Sequence, residues 1–334
     1  MTNDMSPIEL RLLNDFQRDF PLTPGPFREI AAQLGVDESA VLAALGAWMA
    51  AGTVSRVGAV FAPRRVGAST LAALAAPPEH LSRIASIVSA HAGVNHNYER
   101  EHRLNLWFVA TAADADCLAG LLQSVERETG CDVIALPLVE EFHIDLAFDL
   151  LHGYKGDAKT PVRMAAQRYE PASGERHLMA ALQAGLDLVP RPFARLAMKS
   201  GMSEDAVLEL IAQWVHSGLI KRFGVVVRHR ELGYRANAMA VWDVPDDQVR
   251  ACGTALADEP LVTLCYRRER RRPAWPYNLF CMIHGRHRLE VEATLGAIRD
   301  RHGLHAYPSA VLFSRRCFKQ QGAHYFSQPE AAHG

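Results

Sequence analysis

The sequence predicts an α+β protein, a tandem duplication in which each copy is a winged helix-turn-helix followed by a ferredoxin-like βαββαβ unit. Three observations predict it. The chain repeats itself at an offset of 166 residues. Each copy opens with short helix-period segments and a strand pair. Each then runs through strand- and helix-period segments in the order βαββαβ.

The repeat is legible residue by residue. Pro26-Phe27 matches Pro192-Phe193, and Trp48 matches Trp214. Gly52-Thr-Val-Ser-Arg56-Val-Gly58 matches Gly218-Leu-Ile-Lys-Arg222-Phe-Gly224, and Val66-Gly67 matches Leu232-Gly233. Further on, Tyr98-Glu-Arg100 answers Tyr266-Arg-Arg268, and Asn105-Leu-Trp-Phe108 answers Asn278-Leu-Phe-Cys281. The offset drifts from 166 to 173, so the second copy carries extra residues.

The elements follow in order. Residues 8–19 place Leu10, Leu12, Leu13 and Phe16 on one side of a helix. A Pro-rich turn from Pro21 to Pro26 ends it. A second helix runs from Phe27 to Leu34 and stops at Gly35; a third spans 38–51 and closes at Gly52. Strand-like 53–61, the turn Ala62-Pro-Arg-Arg-Val-Gly67 and strand-like 68–76 read as the hairpin wing. The strand at 69–76 also opens the βαββαβ unit, continued by helix 77–91, strands 94–101 and 104–111, helix 113–129 and strand 132–141. The second copy gives strand 236–243, helix 245–257, strands 261–268 and 276–283, helix 287–302 and strand 304–313. Residues 152–175 are polar, with two prolines and three glycines, and read as a linker. The expected division is 1–60 and 61–151 for the first copy, then the linker, then 176–227 and 228–334 for the second.

Composition bounds the function. The 334 residues are 49% hydrophobic and 22% charged, with 36 Lys+Arg against 37 Asp+Glu and a net charge of −1. Such a chain is globular, and a protein working by bulk affinity for nucleic acid is usually basic. No run approaches about 18 uncharged apolar residues, the length a membrane span needs. Met1-Thr-Asn-Asp-Met-Ser-Pro7 lacks a basic stretch followed by an apolar core, so no signal peptide is expected. The six cysteines (117, 131, 252, 265, 281, 317) form no Cys-x-x-Cys pair. Reduced thiols in a cytoplasmic protein are expected, with no zinc or cysteine-ligated iron–sulfur site.

The domain order resembles the Lrp/AsnC family of transcription regulators, which implies DNA binding. The third helix argues against it, because a groove-reading helix needs Arg, Lys, Asn or Gln. Residues 38–51 contain no basic residue, and 203–216 contain three acids and no Lys or Arg. No DNA partner is expected. The positive charge sits between Cys265 and Arg288, where seven arginines (267, 268, 270, 271, 272, 286, 288) face one acid, Glu269, among Tyr266, Trp275, Tyr277 and Phe280. Arg forks bind carboxylates and aromatic rings offer flat faces, so a flat polycarboxylate suits this surface. For Arg270 to Arg272 a solvated turn explains the run as well, and RNA is a third ligand class.

Two segments stand out: Val94-Asn-His96-Asn-Tyr98-Glu-Arg100 with Asn105-Leu-Trp-Phe108, and Cys265-Tyr-Arg-Arg268 with Trp275-Pro-Tyr-Asn278-Leu-Phe-Cys-Met-Ile-His284-Gly285. Together they resemble the signatures of the two subunits of the siroheme decarboxylase family, here in its fused form. The tail Phe142-His143-Ile-Asp-Leu-Ala-Phe-Asp-Leu150 is similar too. The resemblance implies a carboxy-lyase acting on siroheme, an iron isobacteriochlorin with eight carboxylates. It turns the acetates at ring positions 12 and 18 into methyls, releases two CO2, and feeds haem d1 or an alternative haem b route. No cofactor is implied beyond the iron that the substrate itself carries. Other proteins of haem d1 synthesis are further candidate partners.

Decarboxylation needs a proton donor with a pKa near neutrality, which suits His. His96 and His284 lie in the motifs, and neither has a repeat partner: His96 aligns with Leu264 and His284 near Thr111. They are the expected catalytic residues; an axial bond to the substrate iron from His96, His284 or His143 is the alternative. Arg56, Tyr98, Arg100, Arg222, Tyr266, Arg267, Arg268, Trp275, Tyr277 and Asn278 are expected to bind substrate. For Arg56 and Arg222 anchoring an interface weighs equally, and Asn105 and Asn278 also read as partners of backbone groups. The halves are expected to pack through their sheets as an intramolecular pseudo-dimer, with further dimerisation open. The macrocycle is expected in the second half, beside Arg267, Arg268, Trp275, Tyr277 and His284. A tetrapyrrole-responsive regulator and a non-catalytic tetrapyrrole carrier are the rivals.

Overall fold

A computed structural model describes residues 5–62, 65–144, 169–323 and 325–326, with the backbone alone at 229. The first copy contains α1 (Pro7–Asp15), α2 (Pro26–Leu34), α3 (Glu38–Ala50), β1 (Val54–Phe61), β2 (Ala68–Leu74), α4 (Leu81–Ala90), β3 (Val94–Arg100), β4 (Leu106–Ala112), α5 (Ala115–Thr129) and β5 (Ile134–Ile144). The second contains α6 (Ser173–Ala184), α7 (Pro192–Ser200), α8 (Glu204–His216), β6 (Ile220–Val227), β7 (Ala236–Trp242), α9 (Val249–Asp258), β8 (Val262–Arg268), β9 (Leu279–Gly285), α10 (Arg288–Arg301) and β10 (Ser309–Gln320). The duplicated order is the expected one. Most of the expected linker lies outside the described residues, and α6 begins inside its last residues.

Local chemistry sets the helix ends. Ser6 and Glu9 form a capping box on α1. Pro26 opens α2, and Gly35, at φ 69°, closes it in the left-handed conformation. The first helix ends at Asp15, short of the expected 19, because the Phe16 carbonyl accepts a hydrogen bond from Val225 N at 2.7 Å.

The hairpin wing is corrected. β1 does not pair with β2; it pairs antiparallel with β6 of the other copy, and Gly58 faces Gly224 across the ladder. These glycines are repeat partners, so the pseudo-twofold axis passes between them. Around this ribbon the helices of both copies share one core that includes Leu13, Phe27, Val57, Leu182, Phe193, Ile211 and Val225.

The remaining strands close an eight-stranded barrel in the order β10-β3-β4-β2-β5-β8-β9-β7. Each copy keeps its ferredoxin-like order within the barrel. The join comes from the last strand of each copy, which is longer than the sequence reading. Residues 134–137 of β5 pair with β2 and residues 138–144 with β8 of the other copy. Residues 309–313 of β10 pair with β7 and residues 314–320 with β3. Both open sheet edges are thereby satisfied. The pseudo-dimer is thus one barrel rather than two stacked sheets. Helices α4 and α5 cover one outer side and α9 and α10 the other. No single helix among the described residues is long and apolar enough to cross a membrane.

Candidate active site at one mouth of the barrel

Alternation along the strands decides which side chains look inward. On β3, Asn97 points out and donates to Ala85 O on α4 at 3.0 Å, so His96, Tyr98 and Arg100 look in. On β8, Cys265 points out toward Gly253 O on α9, so Leu264, Tyr266 and Arg268 look in. On β9, Phe280, Met282 and His284 share the inner face; the first two belong to the barrel core with Trp107, Met239 and Leu312.

The inward polar residues form a ladder. His96 stacks on Tyr98 with ring centroids 6.1 Å apart. The Arg100 guanidinium lies 5.8 Å from the Tyr98 ring centre and donates to Leu312 O at 3.1 Å. Its pseudo-symmetric counterpart Arg268 lies 4.6 Å from the Tyr266 ring centre and donates to Leu136 O at 2.6 Å. Each arginine therefore clips the last strand of the other copy. Tyr266 stacks on Phe280 at 5.6 Å.

His284 is held from behind by Asn237 on β7, with Nδ1 2.7 Å from the amide Oδ1. That oxygen accepts, so Nδ1 carries the proton and Nε2 is left with its lone pair. Burial, with the Arg56 guanidinium adding to it, pulls the His96 pKa down to about 4. Burial and then Arg100 do the same to His284, also to about 4. Both imidazoles are neutral at neutral pH. Burial raises the Tyr98 pKa, so its phenol keeps its proton. Arg56, buried beside Gly322 and donating to Ala59 O at 3.0 Å, is pulled down to about 10 by burial.

The sequence reading missed a groove of about 480 Å3 lined by Arg228, Arg230, Arg315, Arg316 and Lys319, with the acid Glu231 among the other lining residues; Arg315 and Arg316 pair with Glu99, and Lys319 donates to Ser89 O and His91 O. The groove's volume falls in the range of ligand pockets. Arg228 Nε and Arg230 Nη1 are buried and lack hydrogen-bond partners. In the ladder Tyr98 stands opposite Cys317 and His96 opposite Gln320, which backs the groove with the β3 residues. The signal was present: Arg228-His-Arg230 and Arg315-Arg-Cys-Phe-Lys319 are dense in cations, though far apart in sequence.

The arginines of 267–288 do not gather at one place. Arg267 alternates to the outer face and pairs with Asp246 at 2.7 Å. Arg270 pairs with Asp243 and Asp246, Arg271 with Glu269, and Arg272 with Asp243, each at 2.8 Å. Arg286 lies over Tyr234 and Arg288 pairs with Glu101. The arginine run is thus spread over several surfaces and largely neutralised. Trp275 is sealed in the core, 4.8 Å from Trp107 and 5.0 Å from Tyr277. Asn278 is a clamp rather than a ligand contact: its amide closes on Val244, accepting from N at 3.0 Å and donating to O at 2.9 Å. Asn105 does the same to Ala76. Arg222 is buried beneath the end of α1, 3.4 Å from Gln17 Oε1. His143 is half-buried on β5 opposite Cys265, and the rest of its motif, 145–150, lies outside the described residues. All six cysteines are free.

Two family models match the chain twice each. An AsnC-like ligand binding domain covers residues 65–143 and 231–319. A siroheme decarboxylase NirDL-like HTH domain covers 9–54 and 175–221. The chain is similar to the siroheme decarboxylase NirDL subunit of Paracoccus denitrificans, with 45% identity over 96% of this chain and 97% of that one. It is 47% identical to the NirD subunit of Pseudomonas aeruginosa, over 44% of this chain and 97% of that one. Its fold resembles the crystal structure of the siroheme decarboxylase NirDL in co-complex with an iron-uroporphyrin III analogue. There the TM-score is 0.68, with 27% identity over 96% of this chain and 94% of that one. The chain belongs to the siroheme decarboxylase family, in its fused form.

Proposed function

We propose that this chain decarboxylates siroheme at the acetates of ring positions 12 and 18, giving didecarboxysiroheme and two CO2 for haem d1 synthesis. One observation carries the reading: His96, Tyr98 and Arg100 share the inner face of β3, and the Arg100 guanidinium acts on the buried His284 of β9. In each step the bond from methylene to carboxylate breaks and CO2 leaves. The electron pair stays on the methylene and a proton completes the methyl.

The side chains divide that work. Groove cations and Arg100 hold carboxylates that do not react. The protonated Tyr98 phenol donates to a carboxylate oxygen. In the free protein both imidazoles are neutral, because burial and Arg56 or Arg100 disfavour the cation. Arriving carboxylates oppose those guanidiniums and raise the imidazole pKa. His96 and His284 then take protons and pass them to the methylenes. A neutral imidazole is also the form that ligates iron, so the depressed pKa favours an axial bond to the substrate iron as the second reading.

The test is anaerobic incubation of the purified chain with siroheme, followed by mass spectrometry of the extracted tetrapyrrole. Loss of one or two CO2 is expected, slowed roughly 100- to 10,000-fold by His96→Ala or His284→Ala. Unchanged mass with a shifted absorption spectrum would make the chain a carrier.

A further inference from the structure

Asn237 differs from other asparagines of the barrel in what its amide serves. Asn105 and Asn278 close on the backbone N–H and C=O of Ala76 and Val244. Asn97 donates to Ala85 O and to Ser89 Oγ, each at 3.0 Å. Those three hold the fold. Asn237 is buried, and alternation along β7 puts it on the inner face with Met239 and Val241. A buried amide needs a hydrogen-bond partner. Among the described residues the partner of this side chain is an imidazole: Oδ1 lies 2.7 Å from Nδ1 of His284.

The duplication supplies an internal comparison. Asn237 and His284 stand opposite each other across the β7–β9 ladder, and Ser69 and Thr111 across the β2–β4 ladder. The far side of β2 and β7 gives the same correspondence. Cys317 faces Tyr98 and Glu141 faces Tyr266, so β10 and β5 are equivalent at 317 and 141, and therefore at 313 and 137. Phe313 faces Ala238 and Pro137 faces Thr70, which makes Asn237 the counterpart of Ser69. Thr111, the counterpart of His284, donates its hydroxyl to Asn95 Oδ1 at 3.0 Å. Imidazole and amide thus occur together in one copy, and a hydroxyl stands at each of the two positions in the other. An asparagine needed only to close the barrel would have no reason to accompany the imidazole.

We propose that Asn237 is the positioning residue of His284: its amide oxygen holds the ring proton on Nδ1, so that Nε2 alone handles the proton used in decarboxylation. The proposal rests on the decarboxylase reading of the site. Nε2 takes one proton from solvent and gives it to the methylene as the bond to CO2 breaks. The ring returns to neutral, and the Nδ1 proton stays with Asn237 throughout. Without the amide oxygen the ring proton can sit on either nitrogen. A neutral ring protonated on Nε2 has no lone pair there to take up another proton, and it does not turn over.

The test is NMR of isotope-labelled imidazole nitrogens in the intact, ligand-free chain at neutral pH. The His284 signals are assigned by their loss in His284→Gln. The wild-type chain is expected to carry the proton on Nδ1. Asn237→Leu is expected to show both tautomers, and Asn237→Asp, which keeps an acceptor, to hold Nδ1 protonated. With siroheme, Asn237→Leu should lower kcat roughly 10- to 100-fold while KM stays within about threefold, and Asn237→Asp should recover part of the loss. A wild-type chain with the His284 proton on Nε2 would overturn the proposal, and that measurement needs no variant to fold. So would a folded Asn237→Leu chain whose tautomer has changed but whose kcat has not. In that case CO2 is still released and the decarboxylase reading stands. Unchanged siroheme mass with the wild-type chain would sink the decarboxylase reading and leave the hold of Asn237 on the His284 tautomer intact.

Discussion

At the residue scale, the two histidines combine burial with nearby positive charge, which ties stability to pH. Each has a pKa lowered from 6.5 to about 4. The unfolded chain binds these protons first as pH falls. The stability from keeping the imidazoles neutral is therefore present above about pH 6.5 and is lost as pH drops toward 4. Urea midpoints measured from pH 7 to 4.5 should fall, and the fall should be shallower in a His96→Asn, His284→Asn double variant. An equal slope in both proteins would mean that other groups govern the acid limb. The sequence exposed these histidines because a duplication makes an unmatched residue visible. It did not expose Asn237, which is ordinary in composition and matters only because β7 pairs with β9. The fate of Arg267 was legible in principle, since adjacent strand residues cannot both face inward once Tyr266 does.

At the element scale, local patterning gave the element types, while partner choice came from the other copy. Nothing within 53–76 says that β1 abandons β2 for β6. Likewise the ends of β5 and β10 read as strand tails, because the strands they join are more than a hundred residues away. Gly224 marks this long-range fit. A Cβ there would meet the Phe16 carbonyl oxygen at 2.3 Å and that of Gln17 at 2.7 Å, both backbone atoms. Gly224→Ala should therefore cost about 1–3 kcal/mol or more, read as a lower urea midpoint. A neutral outcome would mean that the end of α1 can retreat from β6. Asn278→Ala should act on stability alone, because it leaves the buried N–H and C=O of Val244 without the Asn278 side chain. A loss of about 1–3 kcal/mol is expected with iron-uroporphyrin affinity unchanged. Lost affinity in a folded variant would restore Asn278 as a ligand contact.

At the scale of the whole molecule, the two copies form one cooperative body. Their helices share a core, β1 and β6 exist as a ladder only together, and β5 and β10 each bridge the copies. Separating the copies would bare the unpaired edges of β3 and β8, and with them the ends of β5 and β10. It would also leave Arg100 without Leu312 O and Arg268 without Leu136 O. The chain divided within 145–168 and produced as two polypeptides should therefore assemble into one noncovalent pair. The pair should co-purify and unfold in a single transition whose midpoint rises with protein concentration, since the intramolecular link becomes a bimolecular one. Each polypeptide alone should aggregate, or pair with itself and bind iron uroporphyrin poorly. Self-pairing would put β5 against β3, setting Glu141 opposite Tyr98 and Ile144 opposite His96, or β10 against β8, setting Cys317 opposite Tyr266 and Gln320 opposite Leu264. Neither self-pair would unite His96 with His284. A separately produced half that stayed monomeric and folded would show that each copy closes its own core, and the barrel would then be an association of finished domains.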